Sequence, residues 1–72
     1  GLGMNTEALS TYQEIITNDT ANTRAYIEAA ECCRSLAKYQ QALKYYEQAL
    51  DLNPENKYVR ILLKVYCLYC YH

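Results

Sequence analysis

Apolar residues along this chain recur three and four positions apart, and nowhere does the pattern settle into a two-residue alternation. That spacing puts the apolar groups on one face of a helix and argues against strands. The first helix is expected over about Thr6–Asn18, with Asn5 as its cap and Ala8, Leu9, Tyr12, Ile15 and Ile16 as its apolar face. A second is expected over Thr23–Leu36, opened by Asn22, with Tyr26, Ala29, Ala30 and Cys33 facing inward. The third, Tyr39–Leu52, carries Ala42, Leu43, Tyr46, Ala49 and Leu50, and Pro54 follows as a stop. A fourth runs from Lys57 toward the C-terminus, opened by Asn56. Asparagine suits these openings because its side-chain oxygen accepts a bond from an otherwise unsatisfied helix N–H. The joints are short, so successive helices should be antiparallel. The expected fold class is all-α, with about four antiparallel helices.

The chain also matches itself. Ala8, Tyr12, Ile15, Ile16 and Asn22 recur 34 residues later as Ala42, Tyr46, Ala49, Leu50 and Asn56. Leu9 recurs as Leu43, and Glu14 is matched by Gln48. A helix–turn–helix unit of that period resembles the tetratricopeptide repeat family. Thr23–Asn56 resembles one complete repeat. Tyr26 stands in the place of the family's early aromatic, Ala29 and Ala30 replace its Leu-Gly pair, and Cys33 replaces its Tyr. Ala42, Tyr46, Ala49 and Pro54 follow its second-helix pattern. Residues 4–22 resemble the second helix of a preceding repeat, with Thr20 where the closing Pro would be. Residues 57–72 resemble the first helix of a following one. This last part departs from the pattern, since Arg60 takes the aromatic place and Leu63-Lys64 the small-residue place. The competing architecture is a closed four-helix bundle built from the same helices.

The resemblance implies an α-solenoid fragment, an interaction scaffold that binds a protein or peptide partner on a concave face formed by the first helices. Here that face would comprise Arg24, Ile27, Glu31 and Arg34, then Tyr58, Ile61, Val65 and Leu68. Apolar groups would bury the partner's helix or peptide, and Arg24, Glu31 and Arg34 would orient it. One branch of the family grips the C-terminal carboxylates of chaperones with Lys, Asn and Arg. The matching places here hold Ile27, Glu28 and Glu31, then Tyr58, Ile61, Leu62 and Val65, a set unsuited to a carboxylate. The fourth helix is apolar around almost its whole circumference, so it expects cover on every side. A neighbouring helix beyond the chain, an associating surface, or a tail that folds differently would each account for it; a fragment that also associates ranks first. The alternative function is thus a self-associating structural fragment, a homodimer held through Leu62, Tyr66, Leu68 and Tyr69.

Composition narrows the remaining classes. With 72 residues the chain is at most one small domain, and residues 1–3 read as an expression scar ahead of Met4 rather than a helix opening. Net charge is −1, from 7 basic and 8 acidic residues well mixed, so no nucleic-acid-binding face is expected. No membrane span is expected either, because Arg60 and Lys64 interrupt the most apolar run. All nine aromatic residues are Tyr, which suits half-buried positions with a ring inside and a hydroxyl at the water edge. Cys32-Cys33 and Cys67-x-x-Cys70 raise the question of a metal or redox site. Cys32 and Cys33 diverge by about 100° on a helix, and Cys67 and Cys70 lie at a helix end, where the dipole does not lower a thiol pKa. Free thiols acting as small hydrophobes are the expectation, with no metal and no cofactor, in an intracellular, cytoplasmic setting. His72 is the only histidine and the last residue, and no Gly-rich phosphate loop occurs. Nucleophilic constellations are hard to build from these residues, so no enzyme is expected.

Overall fold

The computed structural model describes the backbone of residues 2–70 and the side chains of residues 3–65. Four helices follow one another: α1 (Leu2–Asn18), α2 (Thr23–Ser35), α3 (Tyr39–Leu52) and α4 (Lys57–Cys70). The last three match the sequence expectation to within one residue. The first does not. It begins at Leu2 rather than at Thr6, so Asn5 lies inside the helix and the opening Leu2-Gly3-Met4 is helical. Nothing there enforces an earlier stop. No Pro is present, and a Cβ added at Gly3 would meet no atom within 4 Å. Once a helix has nucleated, extending it through open solvent is easy.

Asn22 and Asn56 do cap. The Ala25 N–H donates to Asn22 Oδ1 at 3.1 Å, and the Val59 N–H donates to Asn56 Oδ1 at 3.2 Å. The backbone turns before them also repeat. The amides of Asp19 and Asn53 donate to the carbonyls of Ile15 and Ala49 at 2.8 and 3.0 Å. Those of Asn22 and Asn56 donate to the carbonyls of Asp19 and Asn53, at 3.1 Å in both turns. The turn into α2 and the turn into α4 are one structure displaced by 34 residues.

The joint between α2 and α3 is different. Lys38 N–H reaches back to the Cys33 carbonyl at 2.8 Å and Ala37 N–H to the Arg34 carbonyl at 3.0 Å. This pair of bonds is the Schellman termination, which needs a left-handed residue after the cap. Ala37 supplies it, at φ 62°.

Packing runs α1 on α2, α2 on α3 and α3 on α4; among the described residues nothing comparable joins α1 to α4 to close a bundle. The result is a slab of 28 × 26 × 14 Å, the shape of a short solenoid. Its core holds Leu9, Tyr26, Cys33, Tyr46 and Val59 around a set of small residues. Ala29, Ala30, Ala42 and Ala49 are fully buried, so α2 and α3 approach closely around the Tyr46 ring. Ile15 alone of the first helix's expected apolar face is absent from this cluster. Two tyrosines use their hydroxyls to tie elements together. Tyr26 donates to the Thr20 carbonyl at 3.0 Å, and Tyr45 accepts from the Gln13 amide at 3.1 Å, which ties α1 to α3.

Candidate functional site

On α2, Arg24, Ile27, Glu31 and Arg34 are spaced three, four and three apart and share one face. Arg24 is exposed and the other three are half-buried; the Ile27 side chain leans on the core. On α4, Tyr58, Ile61 and Val65 stand three and four apart, 53, 62 and 43 % exposed. These two rows meet. The Tyr58 hydroxyl donates to Glu31 Oε1 at 3.0 Å, bridging α2 and α4 across 27 residues of sequence. Seven of the eight residues expected on the partner-binding face are therefore placed, and their two rows are joined at Glu31–Tyr58.

The eighth, Leu68, has its side chain outside the described residues, as do Tyr66 and Tyr69 of the expected self-association surface. Leu62, the remaining member of that surface, is half-buried and packs against the core. Chemically, the joined face is an apolar stripe on α4 bordered by arginines and a carboxylate on α2.

A second cluster escaped the sequence reading. Glu28 and Tyr12 face each other across α1 and α2, the hydroxyl donating at a long 3.5 Å. Together with Ile15, Asn22 and Arg24 they line a shallow cleft. The Glu28 carboxylate holds the Tyr12 pKa above its ordinary value, and burial adds to the effect. The only signal for this in the sequence is that both residues are polar-tipped and half a repeat apart, which is too weak to read.

Cys32 and Cys33 are buried free thiols. Burial pushes both pKa values up; the Glu28 and Glu31 carboxylates push Cys32 further, while Lys38 draws Cys33 partly back. A raised pKa favours the neutral thiol over the thiolate at both positions. Among the described residues no three Cys, His, Asp or Glu side chains converge as metal ligands, and no helix is long and apolar enough to cross a membrane. Cys67, Cys70 and His72 lie outside the described side chains.

No curated protein and no solved structure matches the chain. The tetratricopeptide repeat family does match, over residues 23–56. That span opens at the first residue of α2 and closes on the asparagine that caps α4. With α2 and α3 packed through buried alanines and the 34-residue turn repeated at both ends, Thr23–Asn56 is a tetratricopeptide repeat, a unit of the protein–protein interaction scaffolds built from such hairpins.

Proposed function

We propose that the chain binds a helix or peptide of a partner protein along the joined face of α2 and α4. The observation that supports this is the stripe Tyr58–Ile61–Val65, left 43–62 % exposed beside the Glu31 carboxylate to which Tyr58 donates. Fully burying an exposed Ile or Val side chain contributes roughly 1.5–3 kcal/mol, so covering the exposed parts of Ile61 and Val65 supplies part of the driving force for such a contact. Arg24 and Arg34 set the direction of the bound segment, and the Glu31–Tyr58 bond holds the floor of the face in place. A terminal carboxylate is a poor occupant, since Glu31 and apolar groups stand where its donors would be needed.

Selection of peptides from a random display library tests this reading. Binders are expected to carry apolar residues at helical spacing. They should bind an Ile61→Glu variant at least about tenfold more weakly, the equivalent of 1.4 kcal/mol. Binders that do not distinguish Ile61→Glu from the native chain, while its circular dichroism is unchanged, would refute the assignment.

A further inference from the structure

The repeated turns mean that α1 stands to α2 as α3 stands to α4. Carried one step on, the same register pairs α4 with a helix of the α1 type, in the relation that α2 has to α3 inside the repeat. In that relation Tyr26 lines one cleft with Gln48, Asp51 and Leu52, and its ring centroid stands 6.4 Å from that of Tyr45. Shifted by 34 residues, Tyr26 becomes Arg60 and Gln48 becomes Glu14. The uncharged ring and amide that line this cleft of the repeat are replaced, at both positions, by a guanidinium and a carboxylate. Both side chains are exposed.

We propose that a second copy of this chain docks its α1 onto α4, completing a repeat head to tail, with Arg60 of one copy paired with Glu14 of the next. Charge complementarity at equivalent positions names the occupant, and the docked helix continues the α2–α3 interface already present in the fold. Size is consistent as well. Lys64 takes the place of fully buried Ala30, so the docked helix stands farther off than α3 does from α2. Larger groups are available for that wider gap, with Leu63 in the place of Ala29 and Ile15 in the place of Ala49; both are half-buried. An arginine–glutamate pair also reaches across more space than a tyrosine against an amide. Because each copy contributes a different surface, the contact does not close at two copies but extends. It uses a side of α4 other than the joined face and does not rest on partner binding there.

Sedimentation velocity under reducing conditions, over a wide concentration range, tests the proposal. The native chain is expected to associate beyond a dimer as concentration rises. Arg60→Glu faces Glu14 with a like charge, and Glu14→Arg does the same to Arg60. Each variant should associate at least about tenfold more weakly, with helical circular dichroism unchanged. An equal mixture of the two should recover native association, because it alternates copies with every junction matched in charge. A native chain that stays monomeric, association that stops at a dimer, single variants that associate like the native chain, or a mixture that fails to recover would each overturn it.

Discussion

Ala37→Gly should stabilise the protein, although glycine usually weakens a helical domain. Ala37 occupies the left-handed position of the Schellman turn at φ 62°. An L-residue with a Cβ is strained there by about 1–2 kcal/mol. Glycine removes that strain but widens the unfolded ensemble, which takes back about 0.4–1 kcal/mol. The net gain is therefore roughly 0–1.6 kcal/mol, about 0.8 kcal/mol at mid-range. The two backbone bonds of the turn, to Cys33 and Arg34, do not involve the side chain and remain. Ala37 is exposed, so no packing is lost. For a domain of this size such a gain raises Tm by about 2–8 °C. Urea unfolding followed by circular dichroism should show a higher midpoint with an unchanged slope. The control is Glu47→Gly, at an exposed site inside α3. It should lose roughly 0.5–1 kcal/mol for the ordinary helical reason. If Ala37→Gly shifts the midpoint downward as Glu47→Gly does, Ala37 is not in the left-handed region and the account of this turn fails.

Three further outcomes follow from the packing. Asn22→Ala and Asn56→Ala should each lose about 1 kcal/mol in urea unfolding, because each leaves one helix amide unbonded; a neutral result at either would show that its cap is not formed. Ala49→Leu should lose about 1–3 kcal/mol by overpacking a site with no exposed surface, whereas the same change at exposed Ala21 should be close to neutral. Cys32 and Cys33 have raised pKa values in the fold, so the native state retains their protons more tightly than the unfolded chain. Their contribution is complete below the ordinary thiol value of about 8.5 and is lost as pH rises above it; a Cys32→Ala/Cys33→Ala double variant should show a flatter alkaline limb in pH-dependent unfolding.

The scaffold was legible because its signals are local or periodic. Apolar residues three and four apart mark the helices, two asparagines mark their openings, and the 34-residue echo marks the repeat. Other features depend on information that no local pattern carries. The left-handed turn at Ala37 is invisible because alanine, unlike glycine, gives no hint of positive φ. Helix α1 passes through Asn5 because a capping residue only permits a start, and nothing in the surroundings demands one. Glu31 and Tyr58 belong to two separate rows of the sequence pattern, and their bond depends on how α4 crosses the edge of the repeat. The same crossing half-buries Leu62, a residue expected on the self-association surface. In a helix that is apolar all round, periodicity does not say which side turns inward.

That crossing also leaves α4 with little burial. Among its described side chains only Val59 is fully buried, and α3 is the main helix it packs against. Elements with few buried contacts open locally at lower free energy than the core. An occupant that binds only the closed form stabilises it by mass action, about 2.7 kcal/mol at a hundredfold excess over Kd. Hydrogen exchange reads this directly, because protection of the α4 amides should rise with occupancy while α2 and α3 change little. Arg60 and Ile61 are adjacent, so their side chains diverge by about 100° around the helix. A peptide on the Ile61 side and a second copy on the Arg60 side thus reach different faces of α4 and should protect it together. Each should favour the other, because both select the closed helix. If a selected peptide protects α4 equally in the native chain and in Arg60→Glu while lowering native self-association, the two faces compete and one of the assignments is misplaced.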